Sequence, residues 1–146
     1  MAQDFLGSGM KFPPQINPAT GRFAVSSGKE SIKESVYLIL MTQKTERWIR
    51  PEFGSTIMNY TFMDTNHTML NMMAREIAGD LMRNEPRISD VDIQIDAASK
   101  PGCLLIYIGY IIRETNVSDN LVFPFYLDTA WEEEEETAAE PVIAEE

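Results

Sequence analysis

Glu85-Pro86-Arg87-Ile88 is the stretch whose residue types and spacing most invite chemistry. Proline at 86 disfavours helical geometry at the residue before it, so a preceding helix is predicted to stop at or near Asn84. With residues 85 to 87 extended, Glu85 and Arg87 point the same way and set two opposite charges side by side. Standing alone, such a pair is a surface ion pair of modest worth. Embedded in a site, it becomes a docking or catalytic group. Glu46, Glu52, Asp64 and Glu85 all fall near loops or element ends. Glycoside hydrolysis asks only for two carboxyl groups about 5 to 9.5 Å apart, a separation that the sequence leaves open.

Other reactive side chains are few. His67 stands alone at a helix start, and Cys103 opens an apolar strand where a thiol is buried and inert. One cysteine excludes an internal disulfide and a cysteine-rich zinc site. No glycine-rich phosphate loop, paired-histidine zinc helix or calcium loop occurs. Met69, Met72 and Met73 read as helix core, with a partner groove as the other use of such residues. The expectation is a protein that is not an enzyme, with no metal and no cofactor.

The net charge of -11 is concentrated at one end. From Asp128 onward there are nine acids and no Lys or Arg, which leaves 14 acids against 12 bases in residues 1 to 127. The body is thus nearly neutral, with no clustered basic surface of the kind nucleic-acid binders carry. No apolar run approaches the roughly 18 residues that span a bilayer, and Met1-Ala2-Gln3-Asp4 does not look like a secretory leader. No nucleic-acid or membrane partner is expected, and assembly in the cytoplasm is. At 146 residues the chain suits one compact domain. The expected division is a single domain over 1–127, with 1–22 an irregular docking arm, and an acidic, disordered tail over 128–146.

The elements that position these residues follow in chain order. Prolines and glycines break up residues 1–22, an arm expected to dock by Phe5, Leu6 and Phe12, with a turn at Asn17-Pro18-Ala19-Thr20-Gly21. Arg22–Val25 reads as a short strand. Ser27 and Glu30 have capping-box spacing, and Ile32, Val36, Ile39 and Leu40 predict a helix over 28–42. Residues 42–55 form a long structured loop pinned by Trp48 and Phe53, and 56–63 a short helix or turn. Thr65 or Asp64 is expected to cap a helix over 66–84, with Leu70, Met73, Ile77 and Leu81 inward and Asp80 and Arg83 outside.

Val91–Asp96 alternates like a strand with one wet face. Leu104–Ile112 is apolar almost throughout, like a central strand covered on both faces. Glu114–Asn120 reads as polar loop, and Leu121–Leu127 as an apolar strand that Pro124 places at a sheet edge or bulge. Trp131 is expected to anchor the last ordered turn. Helices first and strands later predict an α+β domain, with helices packed on one face of a small, largely antiparallel sheet.

Taken together in this order, several motifs are specific. They are Gly7-x-Gly9 with Phe12-Pro13, Gly21, and Thr42…Glu46-Arg47…Pro51-x-Phe53-Gly54-Ser55. Glu85-Pro86-Arg87-Ile88 and Asn120-Leu121-Val122-Phe123-Pro124 follow. Over about residues 5 to 127 the chain resembles the small baseplate wedge proteins of contractile phage tails, also called the sheath-initiator or lysozyme-like family. Relatives occur in tailocins, extracellular contractile injection systems and type VI secretion baseplates. Two positions depart from the family's pattern: Thr45 stands where members often carry Gly before Glu-Arg, and Met63-Asp64 stands where they often carry Pro or Glu after Phe.

The resemblance implies a structural role and a likeness to the strand-exchanging domain of tail sheath subunits. It implies that Glu85, Pro86 and Arg87 hold the helical core bundle of the larger wedge subunits. Strands around 104–112 and 121–127, with Leu121, Val122, Phe123, Pro124 and Phe125 at the docking edge, would accept arms of tail sheath subunits. Glu46, Arg47, Pro51, Phe53 and Gly54 form the family's loop motif. Contact with the central hub or tube is a further implied partnership. The implied function is to link the wedge core to the first sheath ring and to template sheath assembly in a phage or phage-like baseplate. The alternative is a peptidoglycan-cleaving, lysozyme-like enzyme of the tail.

Overall fold

The computed structural model describes residues 4–63 and 65–127. After a 3-10 turn at Asp4–Leu6, strand β1 (Ser8–Met10) pairs antiparallel with β2 (Val25–Ser27), so residues 4–27 form an arm closed into a hairpin. The arm is therefore more regular than its prolines suggest. Its turn lies where expected, with the amide of Gly21 donating to Asn17 O at 2.8 Å. The short strand lies at Val25–Ser27, two to three residues beyond the predicted Arg22–Val25, and Phe23 makes only an isolated bridge to Ile16.

Helix α1 (Gly28–Met41) buries Ile32, Val36, Ile39 and Leu40, the predicted face. The capping box does not form: Ser27 is the N-cap residue but makes no side-chain cap bond, and Glu30 instead pairs with Lys11 of the arm at 3.5 Å. Helix α2 (His67–Asn84) is capped by Asn66, whose Oδ1 accepts from the Met69 amide at 2.8 Å. The cap is thus the residue after the two candidates that the sequence offered. Of those, Thr65 is not the cap, and Asp64 lies outside the described residues.

The three long strands β3 (Ile88–Asp96), β4 (Cys103–Ile112) and β5 (Val117–Tyr126) form one antiparallel sheet in the order β3-β4-β5. Residues 117–120, expected in a loop, belong to β5, because the β4–β5 turn needs only 113–116, with Asn116 in the left-handed region at φ 53°. A register shift between Ser89 and Asp92, with Asp90 at φ 49°, lets β3 begin earlier than predicted.

The α+β prediction holds: α1 and α2 join the inner sheet row of Ile106, Ile108, Ile112, Phe123 and Phe125 in one core. Full burial of each such side chain contributes about 1.5–3 kcal/mol. Two sheet expectations need correction. β4 is the middle strand, paired on both sides, so it offers no edge to a partner. It is also buried on one face only. Leu104, Ile106, Ile108, Tyr110 and Ile112 are buried, whereas Leu105 and Ile111 are half-buried and Tyr107 is 41% exposed. The acidic stretch 128–146 and the expected anchor Trp131 lie outside the described residues.

Candidate docking site

Helix α2 stops at Asn84, where the prolyl ring at 86 forces it to, and Glu85 turns extended at φ -124° and ψ 96°. That turn folds Arg87 back onto Glu85. Arg87 Nε donates to Glu85 Oε1 and Nη2 to Oε2, each at 2.7 Å, and the Arg87 amide adds a third bond to Oε1 at 3.1 Å. Glu85 is 2% exposed, so this is a buried, bidentate ion pair rather than a surface one.

The free end of the guanidinium reaches elsewhere in the chain. Nη1 donates to the backbone carbonyl of Leu6 at 3.1 Å and to Ser31 Oγ at 3.3 Å. Arg87 thereby ties the arm, the first turn of α1 and the α2–β3 corner together, and Leu6 beside it is buried. Phe12 continues the attachment by packing on Tyr37, which meets Phe123 of β5 edge-on at 5.5 Å. Phe5, expected to dock, is 59% exposed. Burial opposes ionisation of Glu85, but hydrogen bonds from Arg87 and Ser35, with the Arg87 charge, outweigh it and hold the carboxyl below its usual range. The same bonds to Glu85 raise Arg87 against its own burial.

Residues 42–55 form a loop closed at its base. Gln43 bridges Ser55, the Ser55 amide donates to Thr42 O at 2.8 Å, and the Thr45 amide to Pro51 O at 2.7 Å. Glu46 caps the turn by accepting from the Gln43 amide at 2.9 Å. Gly54 sits at φ 117°, where a Cβ would lie 2.3 Å from Thr42 O, so no other residue fits. Arg47 lies 4.3 Å over the Phe53 ring, with Arg50 on the same ring at 5.7 Å. Thr45 takes φ 73°, a glycine-like conformation held by a β-branched residue.

The loop is bolted to α2 by an acid that was expected to face water. Asp80 is 1% exposed because Lys44 at 2.6 Å and Arg83 both pair with its Oδ1, while Asn84 Nδ2 donates to Gly54 O at 3.3 Å. Phe53 packs against the core as predicted, but Trp48 does not. Trp48 and Ile49 project from the loop tip at 96% and 91% exposure.

At the sheet edge, β5 alternates as an inward and an outward row. Phe123 and Phe125 are buried, Leu121 is half-buried, and Val122 and Pro124 are exposed. β5 pairs only with β4 among the described strands, which is the edge position that Pro124 predicted.

Of the candidate catalytic groups, Glu85 is engaged by Arg87 and Glu46 by the Gln43 amide, while Asp64 lies outside the described residues. His67 is exposed beside Asn71, Cys103 is buried, and no cluster of acids, histidines and cysteines fit for a metal occurs among the described residues. No described helix is long and apolar enough to cross a membrane. Sequence reasoning missed the exposed apolar residues of the arm (Met10, Ile16, Phe23 and Val25), because nothing in their spacing separates a core face from an open one.

The model of the family "Baseplate wedge protein gp25" matches residues 26–117. No curated protein matches the chain. Among solved structures, a candidate tail lysozyme from Geobacter sulfurreducens is 40% identical, covering 70% of this chain and 94% of that one with a TM-score of 0.62. A chain of the anti-feeding prophage baseplate is 23% identical, covers 86% of this chain and 90% of its own, and has a TM-score of 0.59. A chain of the type VI secretion system baseplate complex, 17% identical, covers 67% and 92% with a TM-score of 0.56. At those identities the last two share the fold. By the span of the family match and the likeness at 40% identity, this chain belongs to the baseplate wedge protein gp25 family and is a structural component of the baseplate of a tail-like particle.

Proposed function

We propose that the chain links the wedge core of its baseplate to the first ring of tail sheath subunits and templates sheath assembly. The observation that carries this reading is the free edge of β5: a ten-residue strand, Val117–Tyr126, paired on one side only among the described residues. Such an edge accepts an extended segment of another chain through backbone hydrogen bonds, with little demand on its side chains. Leu121, Val122, Phe123, Pro124 and Phe125 form the proposed sheath-docking edge, and a sheath arm pairing there adds a fourth strand to the sheet.

Wedge docking is assigned to the corner that Glu85, Pro86 and Arg87 build. Because the guanidinium fork is already engaged by Glu85, the motif acts by fixing the shape of this corner, with the arm and the start of α1 held in place. The loop of Glu46, Arg47, Pro51, Phe53 and Gly54 presents Trp48 and Ile49 as a second contact with the wedge subunits or the central hub or tube. Assembly takes place in the bacterial cytoplasm.

The protein does this work without catalysis. A carboxylic acid that protonates a glycosidic oxygen needs a raised pKa, whereas Glu85 is held down by Arg87 and is not open to substrate. Co-expression with the wedge and sheath subunits tests the reading: recovery in one complex with both is expected. Cleavage of peptidoglycan by the purified chain, lost on Glu85→Gln or Glu46→Gln, would favour the lysozyme alternative.

A further inference from the structure

The outer face of the sheet, opposite the helices, is patterned for a cover that the described residues do not supply. A strand with one wet face alternates apolar and polar residues, yet β4 carries Leu105, Tyr107 and Ile111 outward. The register places these residues in rows across the sheet: Asp96–Leu105–Pro124, Gln94–Tyr107–Val122 and Asp92–Gly109–Asn120. Each row begins with a polar or acidic residue on β3, and the first two continue into an apolar pair on β4 and β5. Tyr107 is 41% and Val122 50% exposed, so the strip is open. In the third row Gly109 leaves a shallow depression lined by Asp90, Ile111, Ser118 and Asn120, a recess for one protruding side chain.

The charges say what fits. β3, β4 and β5 contain no Lys or Arg, while Asp92 and Asp96 line one side of the strip and Asp90 the recess. The same sheet face of a second copy would bring no countercharge to those aspartates. Residues 128–146, with nine acids and no base, would be repelled by them. The middle strand has both edges paired, so the occupant gains nothing from backbone hydrogen bonds and must bind by side-chain packing. The other face of the same sheet is covered by helices. We propose that the outer face of β3-β4-β5 receives an amphipathic helix of another baseplate protein, with its apolar stripe on Leu105, Tyr107 and Val122 and Lys or Arg residues toward Asp90, Asp92 and Asp96. The inference rests on the chain's place in a baseplate and is independent of sheath contact at the β5 edge.

The test places a benzophenone amino acid at position 107 of the full chain in cells that assemble the particle, followed by irradiation and mass spectrometry. A crosslink to a helix of another baseplate protein with basic residues beside an apolar stripe is expected. Crosslinks to a second copy, to residues 128–146, to lipid, or to nothing overturn the proposal. In parallel, Tyr107→Glu and Asp92→Lys are each expected to lower incorporation into particles at least tenfold, with thermal unfolding close to that of the parent. Tyr107 lies on the paired middle strand, so a sheath-edge defect does not enter this readout. Parent-level incorporation of both variants overturns the inference while leaving the sheath reading intact. Normal incorporation with a missing sheath after a β5-edge block supports the sheath reading alone.

Discussion

Arg87 folds its guanidinium back onto the carboxylate two residues before it, with Nε and Nη2 each 2.7 Å from an oxygen of Glu85. The pair is local in sequence, yet Nη1 of the same group reaches the carbonyl of Leu6, 81 residues away. A tripeptide at a helix stop thus holds the arm of the protein in place.

Removing Arg87 leaves the Glu85 carboxylate buried and uncompensated. Arg87→Ala is expected to lower stability by about 3 kcal/mol, with a fall in Tm of roughly 6–12 °C. Arg87→Lys recovers only part of this, since an ammonium cannot form the fork. Urea unfolding of the two variants checks the magnitude. A joint Glu85→Leu, Arg87→Met variant should lose less than Arg87→Ala alone, because it leaves no buried charge behind.

Acid and alkali should unfold the protein through identifiable groups. Glu85 is depressed in the fold, so its contribution is complete above its unfolded pKa near 4.5 and is lost as pH falls through the lower folded value. Glu85→Gln flattens that limb. Tyr60 is pushed up to about 12 by burial and by Glu76, which accepts its hydroxyl at 2.9 Å. A raised phenol contributes fully below its unfolded pKa near 10, and that stability is lost as pH rises towards about 12. Tyr60→Phe weakens this alkaline loss. Denaturant midpoints across pH measure both limbs.

Loop 42–55 contains one residue that strains it and one that it cannot replace. Thr45 at φ 73° costs about 1–2 kcal/mol relative to glycine, so Thr45→Gly should raise stability by roughly 0.5–1 kcal/mol once the extra chain entropy of glycine is allowed for. Gly54→Ala sets a methyl against Thr42 O and should cost more than about 2 kcal/mol. Paired thermal melts give both signs. Trp48→Ala, at a 96% exposed site, should leave the melt unchanged and report only on partner contact.

Both helices, the three long strands and the edge position of β5 were legible in the sequence because each rests on local periodicity or on a proline. The helix stop before Glu85 was equally legible for the same reason. What stayed hidden depends on contacts distant in sequence. The burial of Asp80 requires Lys44, which lies 36 positions earlier, and the second function of Arg87 requires the Leu6 carbonyl. β4 shows the limit from the other side. Its apolar pattern predicts two covered faces, and the described residues supply one. Thr45 is the counterpart in the loop, since a left-handed backbone at φ 73° is a conformation that a β-branched residue does not announce.

Sheath docking depends on the free edge of β5, and Val122→Pro tests it most directly. Val122 shares the backbone phase of Pro124 two residues on, where the strand already tolerates a missing N–H, so the fold should survive with a loss of about 1 kcal/mol or less. Electron microscopy of particles from cells carrying this variant should show baseplates on tubes without sheath. Full-length sheaths on those baseplates, with the variant present at parental levels, would contradict strand docking at this edge.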